Sequence, residues 1–236
     1  MSTSRPGSAA RVTAVLLVLG ALAYTAWALE AVVRTGLDPV RTYVSELAAT
    51  DQPLGGLFRA TDLTAGLLVL AAAATALAAT RRQPTDSDRP RPRRLVLLGW
   101  SALALFGAAT AVDSRLPLSC APTADPACAA REASGLVPVA HTAHAASSGL
   151  AMAGALAAMI ALTLAARRYR IWRPLGRTGA VLVALELAAT VWTLAAVAAF
   201  ETGGGTWALG VGQRLQVLLV ALWLAVLAVS VARERP

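Results

Sequence analysis

Lysine is absent from this sequence, and charged residues of every kind are scarce. All 21 basic residues are arginine, and charged residues make up 14% of the 236 positions. Soluble domains carry about 25% charged residues. Apolar residues reach 57% of the chain, which is more apolar surface than one soluble core of this length can hide. Lipid is therefore expected to be the solvent for most of that surface.

The distribution of arginine argues against a nucleic-acid partner. A formal net charge of +8 would suggest nucleic-acid binding in a soluble domain. Here the arginines form short clusters between long apolar runs, as they do in loops that flank membrane spans. Outside those runs the sequence has no basic stretch with interleaved aromatic residues, which single-stranded nucleic acid requires. We expect membrane lipids as partners and no nucleic acid.

Apolar runs long enough to cross a bilayer occur six times, and Glu186 interrupts the fifth. A helix crosses the hydrocarbon core, which is about 30 Å thick, with about 20 residues. The runs lack the period-two alternation of barrel strands. The sequence therefore predicts an all-α integral membrane bundle that forms a single domain over residues 1–236. Its expected spans are approximately 11–33, 61–80, 95–113, 138–166, 178–200 and 212–232.

The arginine clusters predict an orientation. Segment 81–94 holds six arginines and segment 167–177 holds five, and both terminal tails carry arginine as well. If six helices alternate, all of these segments lie on one side, which the positive-inside rule places in the cytoplasm. Residues 81–94 are then a cytoplasmic linker. Ala21-Leu22-Ala23 offers a signal-peptide cleavage site, but the apolar run continues beyond it, which favours an uncleaved first helix.

Two cysteines, Cys120 and Cys128, lie in segment 114–137, which this orientation places outside the cell. A disulfide that closes a short loop is expected in that oxidising compartment. A metal-binding pair is the alternative, although no histidine lies between the cysteines. The proline and aspartate residues between them favour a tight turn.

Residues 38–50, between the first two spans, predict a short outer amphipathic helix. Asp38 suits its N-cap and Pro39 its first helical position. One face of this helix is apolar and the other polar. The apolar face consists of Val40, Tyr43, Val44 and Leu47, and the polar face of Arg41, Thr42, Ser45 and Glu46. The helix either lies in the membrane interface with solvated charges or plugs the outer mouth of the bundle with its polar face inward.

Ionisable residues at membrane depth are costly, and they are therefore the default candidates for function. Most of them collect at the outer ends of the predicted spans. The candidate catalytic residues are His141, His144 and Asp113, and the candidate binding residues are Ser45, Glu46, Gln213, Arg214 and Glu186. Arg214 is expected either to pair with Asp113 or Glu46 or to bind an anionic ligand. Glu186 forms a polar stripe with Thr190 and Thr193, about eight residues into the fifth predicted span.

These residues leave three hypotheses for function. An outward-facing polar pocket could bind or move a lipid headgroup or a small polar molecule. A lipid hydrolase or transferase could use a histidine as base or metal ligand, with Ser148 or a metal-bound water as nucleophile. A purely structural membrane subunit is the third. Two histidines and carboxylates could bind zinc, but no third histidine exists, so we predict neither a metal site nor a cofactor.

Several short motifs resemble the domain-of-unknown-function 998 family of bacterial and archaeal multi-pass membrane proteins. They are Y-V-S-E-L-A at 43–48, Asp113, His141, G-x-G-Q-R at 210–214 and Leu222-Trp223. The resemblance extends from about residue 12 to 232. It implies a six-helix fold in a bacterial cytoplasmic membrane and no established activity. Ser45, Glu46, His141, Gln213 and Arg214 carry the family's pattern, whereas Glu186 and the cysteines do not match it.

Overall fold

The computed structural model describes residues 7–82 and 93–233. Seven α-helices organise this part of the chain. They are α1 (Ser8–Tyr24), α2 (Gly55–Arg82), α3 (Arg93–Asp113), α4 (Pro126–Ala133), α5 (Val139–Tyr169), α6 (Arg173–Glu201) and α7 (Leu209–Ala232). A 3₁₀ helix, Ala26–Ala31, continues α1, and a second one, Val44–Ala48, precedes α2.

Six of these helices, all except α4, are long and apolar enough to cross a membrane, with α1 and its 3₁₀ continuation counted as one span. The predicted all-α fold with six spans is therefore confirmed. Several spans are longer than expected, because helices continue past the apolar runs and carry their terminal arginines with them. Helix α6 begins at Arg173, with Pro174 in its first turn, and not near residue 178.

The spanning helices pack in a closed order. Each contacts the next along the chain, and α7 returns to contact α1. Small residues allow close approach between them. A Cβ on Gly66 of α2 would lie 2.7 Å from the carbonyl oxygen of Gly107 on α3, so these two backbones touch where only glycine fits.

One end of the bundle carries the disulfide, and we call it the cysteine end. It comprises the last turns of α1, α3 and α6, the first turns of α2, α5 and α7, and the segments that join them. The predicted Cys120–Cys128 disulfide is confirmed. At the opposite, arginine-rich end, Arg81 and Arg82 close α2, and most of the predicted linker, residues 83–92, lies outside the described residues.

Segment 114–137, expected to be a loop, contains the helix α4. Residues 122–124 form the predicted turn, in which the N–H groups of Ala124 and Asp125 donate to the carbonyl oxygen of Ala121 at 3.1 and 2.9 Å. Asp125 and Pro126 then begin α4 directly after this turn. Asp125 is its N-cap, and the Asp125 carboxylate accepts a hydrogen bond from the N–H of Ala127 at 2.9 Å. Pro126 occupies the first turn, where a missing N–H costs nothing. Aspartate and proline suit turns and helix starts equally, so the sequence pattern did not separate the two.

Residues 38–50, which we call the connector, do not form the continuous helix that was predicted. The Asp38 carboxylate accepts the N–H of Val40 at 2.9 Å and closes an isolated turn. Tyr43 is extended, with φ −55° and ψ 142°, and only Val44–Ala48 is helical, as a 3₁₀ helix. The reason is tertiary, because the N–H of Val44 donates to the Gln213 side-chain oxygen at 2.9 Å instead of to a carbonyl one turn earlier.

The connector buries residues from both of its predicted faces. Leu47, on the apolar face, is 2% exposed. Glu46 is fully buried at 0% exposure and Thr42 is buried, whereas Val40 is 47% exposed. The Glu46 carboxylate accepts the N–H of Thr123 at 2.7 Å and the Thr123 hydroxyl at 2.5 Å. The alternative in which the connector covers the bundle with polar groups inward therefore describes it better than an interfacial helix with solvated charges.

The burial of Glu46 predicts a pH dependence of stability. Desolvation raises the pKa of this carboxyl from 4.5 to about 7, although the Thr123 hydrogen bonds oppose the shift. The folded state then binds more protons than the unfolded state between pH 4.5 and 7. The contribution of Glu46 to the free energy of unfolding is complete below about pH 4.5 and falls by up to about 3 kcal/mol as pH rises through 7.

The matched variant is Glu46→Gln, which has the shape to keep both contacts with Thr123 and has no proton to lose. We expect its thermal unfolding midpoint in detergent to fall less between pH 5 and 7 than that of the wild type. Equal slopes for the two proteins would contradict a titrating Glu46.

Candidate functional site

A cavity of about 150 Å³ lies at the cysteine end, below the connector and between α1, α2, α3, α5 and α7. Apolar side chains such as Phe58 and Met152 form part of its wall. Its polar lining consists of Tyr24, Trp27, Ser45, Asp62, Thr110, Asp113, His144, Ser148, Gln213 and Gln216.

Helical spacing explains why so many polar groups meet here. Three helices each contribute two of them, spaced three or four residues apart and therefore on one face. Helix α3 contributes Thr110 and Asp113, α5 contributes His144 and Ser148, and α7 contributes Gln213 and Gln216. The last turn of α3 and the first turns of α5 and α7 lie at the same end of the bundle, so these faces converge.

Asp113 and His144, two of the predicted catalytic residues, are brought together. The Nδ1 atom of His144 lies 3.1 Å from the Asp113 Oδ1 atom and 3.1 Å from the carbonyl oxygen of Leu116. Both neighbours are acceptors, so Nδ1 carries the hydrogen and Nε2 is the free nitrogen of the ring. The hydroxyl of Ser147 donates to the same Asp113 oxygen. The hydrogen bond to the Leu116 carbonyl oxygen therefore orients the imidazole, and the Asp113 carboxylate lies beside it at ion-pair distance.

His141 does not reach the cavity. Its Nδ1 atom accepts the N–H of Ser119 at 3.1 Å and lies 2.9 Å from the Ser119 hydroxyl. Its Nε2 atom lies 3.3 Å from the Glu132 carboxylate, at ion-pair distance but without the angle of a hydrogen bond. His141 on α5 therefore contacts Ser119 and Glu132 of segment 114–137, which we call the disulfide segment and which contains α4. This is a structural role.

Arg214 has a different partner from the two that were predicted. Its Nε and Nη2 atoms donate to the two carboxylate oxygens of Glu30 at 2.5 and 2.7 Å. Its Nη1 atom donates to the carbonyl oxygens of Thr42 and Gly210. Pairing with Asp113 or Glu46 was wrong, because α7 packs against α1, whose 3₁₀ continuation carries Glu30. Each nitrogen of the guanidinium has a hydrogen-bond partner, and Arg214 does not line the cavity.

The other predicted residues divide between cavity and scaffold. Ser45, Gln213 and Ser148 line the cavity, and the Ser148 hydroxyl donates to the carbonyl oxygen of His144 at 2.6 Å. Glu46 is not among the lining residues, because Thr123 of the disulfide segment holds its carboxylate. Neither Glu46 nor Arg214 is among the residues that line this cavity, and their binding roles remain predictions.

Glu186 lies beside the cavity without entering it. It is fully buried, and neither carboxylate oxygen has a hydrogen-bond partner in the described structure. Its polar neighbours are Thr190 and Gln216, whose side chains bond each other at 3.0 Å. Because α6 begins at Arg173, Glu186 is thirteen residues into the helix and not eight. Gln216 lines the cavity and is the link between the two.

Five polar lining residues were not among the sequence-based candidates, namely Tyr24, Trp27, Asp62, Thr110 and Gln216. The second predicted span begins at residue 61, which puts Asp62 at its boundary. Helix α2 instead begins at Gly55, which places Asp62 two turns inside it. A polar residue that bounds an apolar run gives no signal of its own depth, and the sequence pattern did not single out the other four.

The hypothesis of a zinc site lacks a ligand set in the part of the chain that the structure describes. Within residues 7–82 and 93–233, no group of three or more His, Cys, Asp or Glu residues is placed to hold a metal ion. His141 and His144 share a helix face at a spacing of three, but His141 binds Ser119 and His144 contacts Asp113.

The Arg214–Glu30 pair predicts a large loss of stability when one partner is removed. Both side chains are more than nine-tenths buried, and an uncompensated buried charge costs about 3–5 kcal/mol. We expect Arg214→Met to lower the thermal unfolding midpoint in detergent strongly. The control is Arg41→Met, which breaks an exposed pair with Asp38 worth about 0–1 kcal/mol. Equal, small effects of the two substitutions would contradict the structural role of Arg214.

The comparisons with known proteins agree with the motif resemblance. The family described as "Protein of unknown function (DUF998)" matches residues 17–230. This range runs from α1 to α7 and includes every residue that lines the cavity. No curated protein and no solved structure matches the chain. The chain belongs to the domain-of-unknown-function 998 family of proteins.

Proposed function

We propose that this multi-pass membrane protein binds a small polar molecule, or the polar headgroup of a lipid, in the cavity at the cysteine end, and holds or moves it there. One observation carries the proposal, namely that Asp62, Asp113 and His144, from three different helices, line a single cavity. Ionisable groups at membrane depth reduce stability and are rare unless they serve a function. A bundle that only needed to pack would have apolar residues at these positions.

The size of the cavity restricts the ligand. Its volume of about 150 Å³ is below the roughly 300–1,000 Å³ of sites for drug-sized molecules. An engineered protein cavity of about 150 Å³ accommodates benzene. The ligand is therefore about as large as a lipid headgroup, and acyl chains would have to remain outside.

The proposed orientation places the cavity towards the exterior. Arginine clusters flank the opposite end of the bundle, which the positive-inside rule assigns to the cytoplasm. The Cys120–Cys128 disulfide is typical of an oxidising compartment. In a bacterial cytoplasmic membrane with both termini inside, a ligand would reach the cavity from outside the cell or from the outer leaflet.

Filling the cavity tests the binding function. Ala151 lines it and is 6% exposed, so Ala151→Leu places a larger side chain in the binding space without altering any charge. The probes are ethanolamine, serine and glycerol 1-phosphate, which are a cationic, a zwitterionic and an anionic headgroup. We expect at least one to raise the thermal unfolding midpoint of the purified chain, and Ala151→Leu to abolish that shift.

The control is Ala146→Leu, the same change at an exposed position on the same helix. It is expected to leave the shift intact. The binding function would be wrong if no probe stabilised the wild type, or if both leucine variants responded like the wild type.

Hydrolysis of a lipid or ester is the second candidate, favoured by the contact between Asp113 and His144. With Nδ1 hydrogen-bonded to the Leu116 carbonyl oxygen and close to the Asp113 carboxylate, Nε2 of the imidazole is left to act as a general base. Ser148 is a poor nucleophile here, because its proton is engaged by the His144 carbonyl oxygen. A water molecule in the cavity is the better one.

The two histidines provide a matched test of hydrolysis. If His144 is the base, His144→Gln is expected to reduce cleavage of a fluorogenic short-chain ester by about 10²–10⁴-fold. His141→Gln, outside the cavity, should retain the rate. No cleavage by the wild type above background, with ligand binding intact, would decide for the binding function.

A further inference from the structure

The cavity is lined by more acidic than basic groups in the described part of the chain. Its lining includes the carboxyl groups of Asp62 and Asp113, and His144 is the only basic residue that lines it. His144 is already in contact with Asp113 at 3.1 Å. In residues 7–82 and 93–233, no arginine or histidine forms an ion pair with Asp62. Asp62 is therefore left without an ion-pair partner in the described chain, and the cationic group that acts on it at longer range is His144, which already contacts Asp113.

Two arginines close to this site donate their hydrogen bonds to other acceptors. Arg59, one turn before Asp62 on α2, donates to the carbonyl oxygens of Ala48 at 2.6 Å and Ala49 at 3.3 Å. Arg214 is held by Glu30 and by backbone carbonyl oxygens. An anionic ligand would thus enter an acidic cavity in which no guanidinium is available to receive it.

Two buried polar atoms among the lining residues have no partner in the described protein. They are the Thr110 hydroxyl oxygen, on a side chain that is 6% exposed, and the indole nitrogen of Trp27. Buried donors and acceptors are nearly always satisfied, because an unpaired one costs stability. The indole N–H can only donate, whereas a threonine hydroxyl can donate or accept. A ligand with a hydrogen-bond acceptor would satisfy both.

Aromatic rings complete the lining. Tyr24, Trp27 and Phe58 all border the cavity, and the Tyr24 ring is held edge-on against Phe106 with 5.3 Å between the ring centroids. Aromatic rings attract organic cations, most strongly when the site is desolvated. A carboxylate combined with aromatic side chains is a suitable environment for an ammonium group, and apolar walls suit its carbon atoms.

We propose that the ligand of this cavity is a small organic ammonium ion that carries a hydrogen-bond acceptor close to its nitrogen, such as an amino alcohol. This inference rests on the proposed binding function and specifies its substrate class. Asp62 is the counter-ion of the ammonium group, and the aromatic rings surround it. The Trp27 N–H and the Thr110 hydroxyl bind the acceptor. The ammonium can belong to a free amine or to the headgroup of a lipid.

Three probes of nearly equal size isolate the effect of charge. At pH 7 ethanolamine is a cation, ethylene glycol is neutral and glycolate is an anion. Titration calorimetry of the full purified chain in detergent measures their affinities, and sodium and potassium chloride are titrated alongside. We expect ethanolamine to bind at least about tenfold more tightly than each of the others, because only it combines the charge with a carbon skeleton.

Substitutions then assign the contacts. Asp62→Asn keeps the shape of the side chain and removes its charge, and we expect it to weaken ethanolamine binding about tenfold or more. Asp51→Asn is the control, because Asp51 is exposed at the same end and bonds only Gln52, at 3.1 Å, in the described structure. Thr110→Val and Trp27→Phe each remove one hydrogen-bonding group and keep the bulk, and each should weaken binding by a smaller factor. These two variants test the proposal independently if Asp62→Asn fails to fold.

Bilayers distinguish the two sources of the ammonium group. In nanodiscs of phosphatidylethanolamine, added ethanolamine must compete with the headgroup if a lipid is the ligand, so its affinity should fall relative to phosphatidylglycerol nanodiscs. Equal affinity in the two bilayers would identify a free amine. Either result supports an ammonium site.

Other outcomes overturn the inference in different ways. Tighter binding of glycolate or ethylene glycol, or equal binding of ethanolamine by Asp62→Asn and the wild type, would refute the ammonium ligand and leave the binding function standing. Tighter binding of sodium or potassium than of ethanolamine would replace it with an inorganic cation. Failure of every probe in detergent and in both bilayers would refute the binding function as well.

Discussion

The ion pair between Arg214 and Glu30 joins the beginning of the membrane bundle to its end. Arg214 lies near the start of α7 and Glu30 in the 3₁₀ continuation of α1, and the two side chains meet through two hydrogen bonds. The same guanidinium also donates a hydrogen bond to the carbonyl oxygen of Thr42 and so holds the connector in place. These contacts are buried in a low-dielectric environment and depend on one another. Removing either Arg214 or Glu30 leaves the other charge uncompensated. Arg214 thus connects the helix pair that closes the bundle with the connector that covers the cavity.

The polar groups of the cysteine end fall into two sets with different chemistry. Glu46 with Thr123, His141 with Ser119, and Arg214 with Glu30 are satisfied within the protein, and they hold the connector, the disulfide segment and the helix ends together. Asp62, Thr110 and the indole of Trp27 line the cavity and lack such partners in the described chain. The first set makes the second possible, because a rigid cover and wall are needed to keep unpaired polar groups apart from one another.

Some features could be predicted from composition and spacing alone. Six apolar runs of sufficient length require helices, because lipid leaves backbone groups no other partners. The short separation of Cys120 and Cys128 favoured the disulfide. The contact of Asp113 with His144 could also be anticipated from the sequence, since both residues lie at span ends on the same predicted side of the membrane. The failures have a common origin. The helical periodicity of residues 38–50 assumed an isolated α-helix, but hydrogen bonds to Gln213 and Thr123, far away in sequence, break it into a turn and a 3₁₀ helix.

The sequence by itself determined that this protein spans a membrane with six helices, that a disulfide closes one segment, and that most acidic residues and both histidines lie at one end and the arginine clusters at the other. Hydropathy and charge are local properties and need no knowledge of neighbours. The tertiary structure decided which of those groups are partners and which line the cavity. The sequence suggested Arg214 as a ligand-binding residue, but in the structure it is the partner of Glu30. Asp62 lay at the boundary of a predicted span, but in the structure it lines the cavity. The reason is that the packing of α7 against α1, and the depth of each residue in the bundle, depend on contacts between segments far apart in the chain.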